Sequence, residues 1–308
     1  MVATRRILVF VLLSQILFEC GDSSNSRPLV FYVLGDWGRR GEPNQLVIAN
    51  QMNEWTKQQD PKFIITVGDN FYNDGVADMN DSHWKESFAD VYNGNNLIKK
   101  PWYVSLGNHD YRGSVDAQIQ YKKIDPRWNM PSRYYSHVED LGNGTRVRFI
   151  FVDTTPFEKD YYQDAVMLKN LSSQDTVKQK KWLDSLTSLT DATWKIVVGH
   201  HHVYTGGARN GEPSPIRPGF EPIFEKNKVD LYFCGHEHDL QHLKASGKPT
   251  NYFLSGGGSD LRPTGMGKES IFSASEQGFM SVLVEKSSVT VKIINYKGQV
   301  LYNTTISK

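Results

Sequence analysis

The chain has 308 residues, of which 22% are charged and 39% hydrophobic, with a formal net charge of +1. This is the composition of a folded globular protein rather than a disordered one, and the length suits one large α/β domain or two ordinary ones. With no long acidic or basic run, nothing in the charge points to a nucleic-acid partner or an acidic interaction tail.

At the N-terminus, Arg5 and Arg6 precede Ile7–Phe18, an apolar stretch broken only by Ser14 and Gln15, and the small polar segment "CGDSSNSRP" follows. A basic start, a short apolar core and small residues after it read as a secretory signal peptide over residues 1–22. The apolar run is well short of the ~20 residues needed to span a bilayer. The expected location is therefore secreted or extracytoplasmic, with no membrane attachment once the signal is removed. Phe18 and Glu19 before Cys20 are poor residues for lipoprotein cleavage, which disfavours a lipid anchor. Cys20 lies at the edge of the signal, so the mature chain is expected to keep Cys234 alone and no internal disulfide. Sequons occur at Asn80, Asn143, Asn170 and Asn303 and matter only in a host that glycosylates.

From residue 28 to 308 no repeat, low-complexity block or linker divides the chain, which predicts a single domain. A short apolar run ending in glycine and a polar residue recurs along it. "LVFYVLGD" ends at Asp36, "KFIITVGD" at Asp69, "WYVSLGN" at Asn108, "WKIVVGH" at His200 and "VDLYFCGH" at His236. Continuous β-branched and aromatic runs of this length predict strands buried on both faces. Between them, Val47, Ile48, Met52 and Trp55 share one face of a predicted helix after Pro43. Trp84, Phe88 and Val91 form a second helical stripe, and Trp182, Leu183, Leu186 and Leu189 a third. "VRFIFVDTT" (147–155) is another strand, and the C-terminal stretch alternates like a β-meander with a turn at Lys297-Gly298. Strands mixed with helices predict an α/β domain whose strand ends converge.

Functional residues of α/β sheets gather beyond the carboxyl ends of strands. One Gly-Asp pair is ordinary turn chemistry, but five such ends offering carboxylate, amide or imidazole are hard to obtain that way. Glycine lets the chain turn sharply and leaves room for a metal or ligand beside the backbone. The inventory is Asp36, Asp69, Tyr72, Asn108, His200, His236 and His238. These ligands favour iron, manganese or zinc and exclude a thiolate zinc finger. They are too many for one ion with about four to six positions and a free site, whereas two ions sharing a carboxylate use them economically.

"GDWG" (35–38), "GDNFY" (68–72), "GNHD" (107–110), "VVGH" (197–200) and "GHEH" (235–238) are similar, in order, to the five metal motifs of the purple acid phosphatases. "GDWGRRG", "GDNFYNDG" and "GNHDYRG" resemble the small plant-type enzymes most, and the resemblance runs from about Leu29 to Val284. It implies a calcineurin-like four-layer αββα sandwich with mixed sheets. It implies that Asp69 bridges two ions, that Asp36, Tyr72 and His238 complete an Fe(III) site, and that Asn108, His200 and His236 complete a site for divalent iron, zinc or manganese. A phenol with a pKa of ~10 binds as phenolate only to a strongly polarising ion, which suits trivalent iron. Related phosphodiesterases carry Asp-x-His in the first motif, where this chain has Gly38.

His109, next to Asn108, is implied to donate a hydrogen bond or proton to the phosphate or leaving group, with Asp110 as its expected orienting partner. After the fourth motif the chain departs from the family. It reads "HHVYTGGARNGE", with Arg209-Asn210 where relatives carry a Glu-His or His-His pair. Arg209 is either a bidentate phosphate contact or a solvated loop residue. His202 is a candidate for the missing proton donor, and His201 is expected to be structural. "SGGGSD" (255–260) reads as a close-packing turn rather than a phosphate cradle. The expected activity is an exported, monomeric acid phosphatase that hydrolyses small phosphomonoesters to inorganic phosphate by in-line attack of metal-bound hydroxide. A calcineurin-like phosphodiesterase and a non-catalytic phosphatase-like scaffold are the rivals.

Overall fold

The apolar runs are strands, and packing on both faces explains why they lack polar alternation. In the computed structural model, which describes residues 27–308, β1 (Leu29–Leu34), β2 (Phe63–Thr66), β3 (Trp102–Val104) and β4 (Trp128–Asn129) lie side by side in parallel. A second sheet is built from β5 (Tyr135–Asp140), β6 (Arg146–Phe151), β7 (Trp194–Val198), β8 (Leu231–Cys234), β9 (Leu240–Leu243), β10 (Asn251–Ser255) and β11 (Ser270–Ala274). Its order is β11-β9-β10-β8-β7-β6-β5, with β6, β7, β8 and β10 parallel. The chain then returns to the first sheet as the expected meander, β12 (Gly278–Val284), β13 (Ser288–Asn295) and β14 (Val300–Ser307), adding antiparallel to β1. Gly298 makes its last turn with φ +78°, a left-handed conformation that side chains resist.

The two sheets face each other through aromatic side chains. Phe31 of β1 meets Phe149 of β6 edge-on at 5.2 Å and Phe233 of β8 at 6.0 Å, and Phe63 of β2 meets Phe149 at 5.4 Å. Such pairs contribute about 0.5–1.5 kcal/mol each beyond the burial of their area. Helices cover the outer faces. In α1 (Gln45–Trp55), Ile48, Met52 and Trp55 pack into the core of the first sheet. Two helices cover the second sheet: Leu183 of α2 (Thr176–Ser188) and Phe220 and Phe224 of α3 (Arg217–Asn227) pack on Ile150, Val197 and Tyr232. The layers are helix, sheet, sheet, helix, as the αββα expectation required.

Two details differ from the sequence reading. Val47 and Leu189 are exposed, because α1 turns Val47 to solvent and α2 ends at Ser188. The Trp84 stripe winds as a π-helix over Trp84–Ala89, so Trp84 and Phe88 are buried within it and Val91 just beyond it. Cys234 is a buried free thiol in β8, its Sγ 3.7 Å from the Phe253 carbonyl, while Cys20 and the expected signal segment lie outside the described residues.

Candidate metal centre

The carboxyl ends of β1, β2 and β3 carry Asp36, Asp69 and Asn108, and those of β7 and β8 carry His200, His236 and His238. Both sheets thus open onto one cleft. Backbone bonds lock the turns together: Asp36 N–H donates to Gly68 O at 3.0 Å, and Gly235 N–H to His200 O at 2.9 Å. Three of the five strand-end glycines make room for the polar side chains of neighbouring strand ends. A Cβ at Gly68 would lie 2.7 Å from His200 Nδ1; one at Gly107 would overlap the Asp69 carboxylate, and one at Gly235 the Asp36 carboxylate. Asp36, Asp69 and His236 have φ of 59°, 49° and 71°, a strained left-handed state for non-glycine residues that the surrounding packing must enforce.

All seven side chains converge. Tyr72 Oη lies 3.0 Å from Asp36 Oδ1, 3.0 Å from Asp69 Oδ2 and 3.1 Å from His238 Nε2. On the other side of Asp69, His200 Nε2 lies 3.4 Å from Asp69 Oδ2, 3.2 Å from Asn108 Oδ1 and 3.2 Å from His236 Nδ1. One oxygen, Asp69 Oδ2, therefore faces both groups. His200 Nδ1 is tied to the Val67 carbonyl at 2.9 Å, which turns Nε2 toward the cluster.

The electrostatics suit cations. Asp36, Asp69, His200 and Tyr72 are all buried, and among the described residues no Lys or Arg pairs with either carboxylate. Burial drives the Asp36 carboxyl well above its ordinary range, with the Asp69 charge adding to the rise. Burial pushes Asp69 the same way, but His200 and His109 outweigh it and hold the group far below. Burial opposes the charge on His200, yet the Asp69 and Asp36 carboxylates lift its pKa to about 9. Burial and the same two carboxylates push the Tyr72 phenol well above 10. His238 Nδ1 has no hydrogen-bond partner. A buried set of oxygen and imidazole donors, short of positive charge, fits two metal ions.

The calcineurin-like phosphoesterase family model matches residues 29–240. The chain is 37% identical to purple acid phosphatase 7 of Arabidopsis thaliana, over 91% of this chain and 86% of that one. It is 30% identical to human tartrate-resistant acid phosphatase type 5, over 91% of each. The chain belongs to the purple acid phosphatases. As such it is an acid phosphatase, a phosphoric monoester hydrolase, of a family that implies a binuclear metal centre. Among solved structures, it matches the Plasmodium protein described as "GAP50 the anchor in the inner membrane complex" with a TM-score of 0.77 at 26% identity, covering 91% of this chain and 89% of that one.

Around this purple acid phosphatase centre, the remaining predicted residues fall into place unevenly. Gly38 has no room for any side chain, since a Cβ there would overlap the Asn70 carbonyl, so the histidine of the phosphodiesterases does not fit. His109 donates its backbone N–H to Asp69 Oδ1 at 2.8 Å, and its ring lies tilted by 49° against Tyr72, the centroids 4.4 Å apart. Asp110 does not orient it. Asp110 is buried, and its oxygens accept from Gly107 N, Asn70 N and Gln118 Nε2. The Asn73 carbonyl, 2.5 Å from His109 Nδ1, takes that place. His201 is held by Thr154 Oγ1 at 2.8 Å and Tyr161 Oη at 3.1 Å on its two nitrogens. His202 is buried with Nδ1 unpartnered. It lines a cavity of about 230 Å³ with Tyr161, Arg209 and His236 of the donor cluster. Arg209, partly exposed, donates its Nη1 to Glu237 Oε1 at 2.8 Å. The 255–260 turn is close packing, as expected, since a Cβ at Gly256 would overlap the Glu237 carbonyl.

Sequence reading missed three neighbours. Glu237 sits inside "GHEH" but had no assigned partner, Tyr161 comes from a distant short helix (Lys159–Gln163), and Arg39 lies 3.8 Å over the Tyr72 ring. "GDWGRR" contained Arg39, but only the fold brings it over Tyr72.

Proposed function

We propose that this purple acid phosphatase is exported and hydrolyses small phosphomonoesters at a binuclear centre, releasing inorganic phosphate. The observation that carries the reading is the meeting of seven donor side chains on either side of one Asp69 oxygen. Asp36, Tyr72 and His238, with Asp69, would hold Fe(III). Asn108, His200 and His236, with Asp69 as the bridge, would hold a divalent iron, zinc or manganese ion. The phenol supports iron: buried between two carboxylates, it ionises only beside a strongly polarising cation. When bound, the ions supply positive charge to the phosphoryl oxygens and acidify the attacking water.

The chain's own residues place the substrate and move the proton. With Nδ1–H donated to the Asn73 carbonyl, His109 holds Nε2, 4.0 Å from Asp69 Oδ2, where it can pass a hydrogen bond or proton to the phosphoryl or leaving oxygen. Arg209 presents the rest of its guanidinium fork to phosphate oxygens, and the cavity beside His202 takes the leaving group. The chain works as one domain over residues 28–308, as a monomer, after removal of residues 1–22. No helix among the described residues is long and apolar enough to cross a membrane. Of the sequons, Asn80, Asn143 and Asn303 are exposed, whereas the Asn170 amide donates to the Tyr111 and Gly113 carbonyls and would lose both bonds to a glycan.

The complete donor set argues against a scaffold that only binds, and Gly38 against a phosphodiesterase. The test compares p-nitrophenyl phosphate with bis(p-nitrophenyl) phosphate at acidic pH. The monoester is expected to dominate; faster diester turnover would overturn the reading.

A further inference from the structure

Glu237 lies between two metal-cluster residues, His236 and His238, yet its carboxylate faces away from the cluster. It is fully buried, with Oε1 accepting from Arg209 Nη1 at 2.8 Å and Oε2 from the Ala208 backbone N–H at 3.0 Å. The fit leaves no slack: a Cβ at Gly207 would lie 2.7 Å from Glu237 Oε2 and 2.8 Å from Asp239 Oδ2. Next to it, Gln241 Oε1 accepts from Gly206 N–H at 2.8 Å, and Gln241 Nε2 donates to Thr205 Oγ1 at 3.1 Å. The turn after the fourth motif is therefore stitched to the turn that carries His236 and His238. Arg209 is the cation that compensates this buried carboxylate, and its side chain, about one-third exposed (32%), also lines the cavity next to His236.

We propose that Glu237 is a positioning residue that fixes Arg209, so that one edge of its guanidinium is held by the protein and the other contacts the oxygens of bound phosphate. Arginine suits this task because its planar fork offers two donor edges in fixed geometry, which a lysine ammonium does not. The pairing also removes the torsional freedom that a long side chain otherwise loses on binding, so the gain falls on substrate and product affinity rather than on the chemical step. The inference rests on the assignment of Arg209 as a phosphate contact in a phosphomonoesterase.

The test measures kcat, KM and the inhibition constant of inorganic phosphate with p-nitrophenyl phosphate, together with metal content. The enzymes are wild type, Glu237→Gln, Arg209→Ala and the double variant. Glu237→Gln is expected to raise KM and the phosphate inhibition constant about tenfold with kcat nearly unchanged and metal retained. In the Arg209→Ala background the same change should add less than about twofold, because a residue acting through Arg209 has nothing left to position. If Glu237→Gln fails to fold, Gly207→Ala, whose methyl displaces the same carboxylate, should reproduce the raised inhibition constant. Unaltered phosphate affinity, additive effects in the double variant, or metal loss in Glu237→Gln would each overturn the proposal. A wild-type protein inactive on the monoester would instead sink the phosphatase reading.

Discussion

Gly107→Ala tests how the site is assembled. The added Cβ would stand 2.8 Å from Asp69 Cγ and nearer still to its Oδ1 and backbone N, where ordinary contact begins at 3.4 Å. Both atoms belong to a close-packed turn, so the carboxylate must retreat by about 1 Å. Asp69 Oδ1 would then lose the His109 N–H now at 2.8 Å, and Oδ2 its place between Tyr72 and His200. A misplacement of about 1 Å costs about 100-fold in rate, or about 2.7 kcal/mol of transition-state stabilisation. Overpacking itself costs about 1–3 kcal/mol of stability. The assay is kcat/KM on p-nitrophenyl phosphate with metal content and Tm, using Gly265→Ala as control. At Gly265 a Cβ meets only the Gly206 carbonyl at 3.7 Å, so that variant should match wild type. Wild-type turnover and metal content in Gly107→Ala would refute the interlocked-glycine account.

Two further perturbations separate chemistry from stability. His109→Ala should lower kcat by about 100-fold or more, with a larger loss on alkyl phosphates than on p-nitrophenyl phosphate, because a poor leaving group needs the donated proton more; equal losses on both would contradict a proton-donor role. His242, buried between Asn251, Tyr302 and the face of Phe253, has its pKa lowered to about 4 by burial. Between pH 6.5 and 4 the unfolded chain takes up a proton there that the folded chain refuses, so stability falls as pH falls, by up to about 3 kcal/mol. His242→Gln should flatten the decline in unfolding free energy over that range, measured by denaturant titration; an unchanged slope would exclude His242 as its source.

The sandwich and the donor set were legible because both are written locally. The five strands that lead into the motifs are largely apolar, and each is followed by a glycine that turns the chain toward the cleft. What the glycines do was only half legible. Room beside the backbone follows from the residue type, but that Gly107 serves Asp69 and Gly235 serves Asp36 depends on strand adjacency. Pairings between distant segments left no local pattern. Glu237 and Arg209 are 28 residues apart, and His109 and Asn73 are 36 apart. Asp110 was the nearer partner for His109, yet its oxygens are taken by Asn70, Gly107 and Gln118. Where a stripe ran past its helix, as at Leu189, the period was right and the boundary was set by the turn that follows.

The most direct test of the central claim is elemental analysis and a visible spectrum of the purified protein alongside its phosphomonoesterase activity. The account predicts two metal ions per chain, one of them iron, with a visible charge-transfer band that is lost in Tyr72→Phe. Full activity in a protein with no bound iron, or a band that survives in Tyr72→Phe, would contradict it.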